Sequence, residues 1–299
     1  MSSATADVFA VDAPPAAAPP PSVLRSLLRT WEGRFGVGLG CAMLLAIFAG
    51  PLVAPFDPTQ LSVGPPTQGP SADHLLGTDN LGRDVLSRFL HGGRLVLLIP
   101  LASVAIAVVL GAIPGVFAAY RGGRVDSVVT RSFDLLLTLP PLLVVLVVIG
   151  AAGSSSLVLA AIVGVVYAPR VGRIARGTTQ SVVTADYVLA AQARGESTSA
   201  ILFREIAPNI AGPLIADLAL RLTYAVIFVA TLNFLGLGAQ PPSSDWGLTV
   251  ATARGYLPVQ PWATLVPAAG IAALSVAFNL VADALTRHVS RETPAQAIL

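Results

Sequence analysis

Asp217 and Arg221 stand four residues apart inside a long apolar run. On a helix that spacing puts a carboxylate and a guanidinium on one face, where each offsets the other's charge. Such a pair either neutralises itself for structural ends or lines a polar path through a membrane. Asn233, further along the same run, shares the second reading or simply reaches water at a helix end. Other reactive residue types give little. The three histidines, His74, His91 and His288, belong to no H-E-x-x-H pattern, and no G-x-S-x-G occurs. No metal site is expected. Cys41 is the single cysteine and lies in an apolar run, so no intrachain disulfide is possible. All 18 basic residues are arginine. A phosphate-binding G-x-x-x-x-G-K-[ST] loop needs lysine, so any ATP-driven role requires a second polypeptide.

The elements that must hold these residues are membrane helices. The chain has 54% hydrophobic and 11% charged residues, with mean hydropathy +0.75. A soluble domain carries about 25% charged residues, so lipid is the main solvent here. The net charge of +2 is too mild to argue for nucleic acid. Six apolar runs are expected as transmembrane helices: Phe35–Ala54, Leu95–Ala119, Ser132–Ala152 (interrupted by Asp134 and Pro140-Pro141), Ser156–Val171, Pro213–Leu235 and Ala263–Ala284. Continuous runs of this length are helices, not alternating barrel strands. The fold class is therefore all-α, with six membrane helices. Residues 1–34 read as a disordered cytoplasmic tail without a cleaved signal, 55–94 as an external loop and helix, 95–285 as a five-helix core, and 286–299 as a cytoplasmic tail. With the N-terminus inside, thirteen arginines fall in inner segments and four in outer ones, which places both termini in the cytoplasm.

Two polar segments stand out. In the cytoplasm, between the fourth and fifth runs, residues 186–208 predict two short helices. Asp186 caps the first, and Gly195 ends it in a left-handed conformation. Ser197 or Thr198 caps the second, Ser199–Ile206, and Pro208 closes it. Ile201, Leu202 and Ile206 give it an apolar side, while Arg204 and Glu205 stay wet. The small Ala190-Ala191 pair would let another surface come close. An amphipathic helix lying on the membrane is the competing reading. Outside, Asp79, Arg83, Asp84 and Arg88 predict a charged helix before Gly92-Gly93 releases the chain into the second span. That helix either orients the span or helps to dock an external protein. Gly122-Gly123 predicts a tight turn, and Trp246 and Trp262 suit a membrane interface.

The cytoplasmic segment resembles the coupling loop of bacterial ABC importer permeases, with its E-A-A-x-x-x-G pattern and a hydrophobic-x-Pro ending. Ala190, Ala191, Gly195, Ile206 and Pro208 match it; Leu189 replaces the usual Glu and Ala207 the usual Leu. "HLLGTDNLGRDVLSRFLHGGR" (74–94), "YRGGRVDSVVTRSFDLLLTLP" (120–140) and "FLGLGAQPPSSDWG" (234–247) are similar to the dipeptide/oligopeptide/nickel group, and to its C-type subunit. In order, these matches cover roughly residues 74–285.

The resemblance implies a type I importer permease in the bacterial inner membrane. It implies a B-type permease partner, two ATP-binding subunits that hold ATP and Mg, and an external solute-binding protein. It implies no cofactor and no catalysis in this chain. Peptides are the expected solute, with nickel complexes or another small solute as alternatives. A gradient-driven secondary transporter would show internal repeats, and none is evident.

Overall fold

The computed structural model describes residues 30–292, with side chains to residue 287. Arg25 and Arg29, with most of the expected N-terminal tail, and residues 293–299 lie outside the described residues, as do the side chains of His288 and Arg291. The described chain is helical: α1 (Trp31–Phe48), α2 (Gly50–Val53), α3 (Val85–Ala107), α4 (Ile113–Arg121), α5 (Gly123–Thr138), α6 (Pro141–Ala152), α7 (Ser156–Val182), α8 (Asp186–Ala193), α9 (Thr198–Ala200), α10 (Ala207–Phe234), α11 (Trp246–Ala253) and α12 (Trp262–Glu292). Among the described residues, β pairing is confined to one bridge, Thr78 with Asp84. Five helices are long and apolar enough to span a membrane, and a sixth span arises if α5 and α6 are counted as one.

Local chemistry explains the boundaries. Polar side chains cap the starts of α1, α3, α7 and α11: Thr30, Asp84, Ser155 and Asp245 each accept a hydrogen bond from the backbone N–H three residues on. A π-helical turn, Val108–Ala112, joins α3 to α4 without a break. The α5–α6 junction bends by 85°. Leu139, held before Pro140, is forced out of the helical region, to φ −80° and ψ 130°, and Pro140 offers no N–H to continue the ladder.

α7 lies at the centre, packed on α3, α4, α5, α6 and α10; α10 packs on α12, and α12 on α1. The core contains Ile99, Leu159, Val163, Val171, Val229 and Leu232. In lipid, helices associate through close packing rather than water exclusion, so small residues set their distance. A Cβ on Gly111 would sit 2.0 Å from the Ala168 carbonyl oxygen, and one on Gly115 would sit 2.4 Å from that of Gly172. α7 therefore docks backbone to backbone on the α3–α4 span. Many large side chains stay bare, among them Leu52, Val147 and Leu157. Apolar exposure on this scale belongs to lipid or to partner chains.

Several sequence expectations are corrected. The first helix starts at Trp31, inside the stretch read as tail. The fourth span extends to Val182 instead of ending near Val171. Its polar end is stabilised by ion pairs to α5: Arg173 with Asp134, and Arg176 with Asp126 at 2.5 and 2.7 Å. Gly92 and Gly93 do not release the chain. They lie inside α3, where added Cβ atoms would strike Ser244, Trp246 and Ile47. Trp246 is a buried pillar, not an interface anchor. It is 1% exposed, donates from Nε1 to Phe89 O at 2.8 Å, and stacks on the Phe89 ring.

Candidate functional site

The polar segment between α7 and α10, expected in the cytoplasm, folds as a knob built from α8, α9 and the π turn Ile201–Ile206. α8 ends in a complete Schellman motif. Gly195 N donates to Gln192 O and Glu196 N to Ala191 O, with Gly195 at φ +75°. Ser197 then caps α9 by accepting from Ala200 N at 3.3 Å. Two expectations fail here. Asp186 is the first residue of α8 and not its cap. Pro208 does not close the helix; it sits in the first turn of α10, where a missing N–H is tolerated. The π register just before it, with Ala207 N donating to Leu202 O, carries the chain past that gap.

Five buried side chains, Val188, Ala191, Ile201, Ile206 and Ile210, form the core of the knob, and Val116, Tyr120 and Val182 pack against it. The knob is thus fixed to the ends of α4 and α7. Of the resemblance residues, Ala191 and Ile206 are fully buried, whereas Ala190, Gly195 and Pro208 are exposed. The Ala190-Ala191 pair therefore splits between outer surface and core. The tip bears bare apolar side chains: Leu189 is 49% and Phe203 77% exposed. Beside them Arg194 pairs with Glu196 at 2.7 Å in water. Sequence reading missed Phe203, whose only signal was an aromatic beside a polar helix face.

At the opposite end, the loops 54–84 and 235–261 fold into one polar cap. Asp79, Arg83, Asp84 and Arg88 are all brought together and all are buried, but only Arg88 lies on a helix: Asp84 caps α3, Arg88 sits in its first turn, and Asp79 and Arg83 belong to the loop before it. Asp79 accepts from Leu81 N, Arg83 N and Arg83 Nε at 2.9, 3.0 and 2.6 Å. Asp84 accepts from Ser87 N and Ser87 Oγ, and its second oxygen accepts from His74 Nδ1 at 3.0 Å. Arg88 spans the two loops, donating to Pro58 O and to Ser243 O, both at 3.0 Å. Gln260 Nε2 donates to Gln68 O and Leu76 O from the far loop. His74, Gln260 and the bridging role of Arg88 escaped the sequence reading. Only the D-x-x-S spacing of Asp84 and Ser87 signalled a helix start there.

Asn233 belongs to this cap and not to a helix end in water. It is fully buried, and its Oδ1 accepts from Ala239 N at 2.9 Å. It lies near Asp245, whose carboxyl is pushed up to about 6 by burial, against the opposing hydrogen bond from Leu248 N. Asp217 and Arg221 do pair on α10, at 2.9 and 3.2 Å, and are mostly buried. Arg221 edges a cleft between α7 and α10 of about 430 Å³. Among the described residues, no group of His, Cys, Asp and Glu could hold a metal ion.

The bundle thus carries a folded knob at one end and a polar cap at the other. Residues 97–293 match the family of binding-protein-dependent transport system inner membrane components. The chain belongs to this family. It is 35% identical to the di/tripeptide transport system permease protein DppC of Pseudomonas aeruginosa, over 89% of this chain and 91% of that protein. It is 34% identical to the dipeptide transport system permease protein DppC of Alkalihalophilus pseudofirmus, covering 81% and 80% respectively. The probable D,D-dipeptide transport system permease protein DdpC of Escherichia coli shares 36% identity, covering 81% and 82%. This permease is accordingly a multi-pass inner membrane protein that works with a binding protein, and it has no ATPase site of its own.

Proposed function

We propose that this permease forms half of the path by which an ATP-driven importer carries di- or oligopeptides. Its partners are a B-type permease, two ATP-binding subunits that hold ATP and Mg, and an external peptide-binding protein. Both termini lie in the cytoplasm, as the arginine distribution argues, so the knob faces the ATPases. The observation that carries this reading is the knob's construction: an apolar root, exposed Ala190, Gly195 and Pro208, and a bare apolar tip at Leu189 and Phe203. A groove in one ATPase can seat that tip. ATP-driven closure then pushes the knob, and Ile206 passes the motion to α4, α7 and α10. Asp217 and Arg221 line the path, whereas Asn233 serves the outer cap. Asp79, Arg83, Asp84 and Arg88 act on docking indirectly, by fixing the cap that the binding protein meets.

The peptide assignment rests on the named substrates of the relatives. Its test is uptake of radiolabelled alanylalanine by the assembled transporter in proteoliposomes, with ATP inside and binding protein outside. Uptake that requires both supports the reading; uptake without ATP or the ATPase subunits overturns it. Gly195→Val probes coupling. A β-branched residue at φ +75° is strained by roughly 1–2 kcal/mol, and the loop must shift. The variant is expected to insert and assemble normally, yet to lose at least about tenfold in uptake per ATP hydrolysed. Unchanged uptake would remove the knob from the coupling route.

A further inference from the structure

The cleft between α7 and α10 holds a cation without a counter-charge. It is lined by Tyr167 and Arg170 of α7 and by Arg221 and Tyr224 of α10. Arg170 and Arg221 both lie near the middle of long helices. Arg221 is matched by Asp217. Further along α7, Arg173 is matched by Asp134 and Arg176 by Asp126. Among the described residues, Arg170 has no such ion pair and no hydrogen bond, although it is partly buried. Arg170 stands where the apolar part of α7 gives way to its polar end, and a partly buried arginine at that edge is costly unless it finds a partner. Two guanidinium groups against one carboxylate leave the cleft positive, so it attracts anions and repels free cations.

We propose that Arg170 binds the C-terminal carboxylate of a peptide in transit, an inference that rests on the peptide-permease reading above. A guanidinium presents paired N–H donors that fit a carboxylate in two parallel hydrogen bonds. Tyr167 and Tyr224 line the same cleft, and among the described residues their hydroxyls have no hydrogen bond, so they are available to donate to the same group. The C-terminal carboxylate is the feature that peptides share whatever their side chains. A site that reads it accepts many sequences without selecting among them. Arg221, already held by Asp217, supplies field and not a direct contact.

The test is equilibrium dialysis of radiolabelled alanylalanine against the purified complex of both permeases and both ATPase subunits, without binding protein. Wild-type, Arg170→Gln and Arg170→Lys complexes are compared after each is checked for assembly. Expected is saturable binding by the wild type, weakened about tenfold in R170Q and by less in R170K, which keeps the charge but loses the paired donors. Unlabelled alanylalanine competes, and alanylalanine amide does not. Equal competition by the amide, wild-type affinity in R170Q, or no binding to the wild type overturns the proposal. Either of the first two results is also what a carboxylate of the partner permease resting on Arg170 would give. ATP-driven uptake of alanylalanine by the same wild-type complex separates this failure from failure of the peptide reading.

Discussion

The two ends of this permease solve opposite problems with opposite materials. The cap buries its charges: Asp79, Asp84 and Arg88 are each at most 4% exposed, the two carboxylates bound to backbone N–H groups a few residues on and Arg88 to carbonyls of two distant loops. The knob exposes its charges, Arg194 among them, and buries five apolar side chains instead. Buried hydrogen-bonded charges tolerate little displacement, because each lost contact leaves a desolvated group unpaired. An apolar root is less directional and keeps its contacts through a small rotation. The cap is thus built as a fixed frame, and the knob as an element stiff at its root and bare at its tip, as the proposed coupling role requires.

The comparison is broken most severely at Asp84. Asp84→Ala removes the cap of α3, both bonds to Ser87 and the partner of His74 at once. The expected loss is about 3–5 kcal/mol, concentrated in the cap. Hydrogen exchange should rise across residues 55–84 while 186–210 keeps its protection. Equal loosening at both ends would show that the cap and the knob are not independent frames. At the knob, Ile206→Ala should cost somewhat less, roughly 2–4 kcal/mol, because it opens an apolar cavity without stranding a charge. Protection should fall over 186–210 alone, and uptake per ATP should fall with it. A variant that loosens the knob yet transports normally would mean that a stiff root is not needed.

The same contrast governs what the sequence disclosed. The knob is local, so Gly195 and Ser197 were legible from turn chemistry, and the apolar side at Ile201 and Ile206 from periodicity. Pro208 misled, because a proline that ends one helix is equally at home in the first turn of the next. The spans were legible from apolar length, except where tertiary ion pairs extend one. The end of α7 past Arg170 is polar and holds its place through Asp126 and Asp134 on another helix. The cap was the least legible part. Arg88 and Ser243 are 155 residues apart in sequence, and Gln260 and Leu76 are 184 apart. No window on the chain sees both partners, so four buried charges read as a solvated helix.

Asp245 offers the smallest and sharpest probe of the frame. Its carboxyl is held near 6 in the folded cap, against 3.8 for an ordinary aspartate. Between these values the folded state binds more protons than the unfolded one, so stability falls as pH rises through the window from about 4 to about 6. The gain is complete only below the lower value and is lost above the higher one. From pH 7 to pH 5 the cap should therefore tighten by roughly 1 kcal/mol. Asp245→Asn keeps an oxygen to accept from Leu248 N but cannot titrate. The difference between the wild type and D245N cancels other groups that titrate in the same range. Hydrogen exchange of 236–250 at the two pH values should slow at pH 5 in the wild type and change less in D245N. Identical pH responses in the two proteins would mean that water reaches Asp245, and that the frame on this side is looser than its buried charges imply.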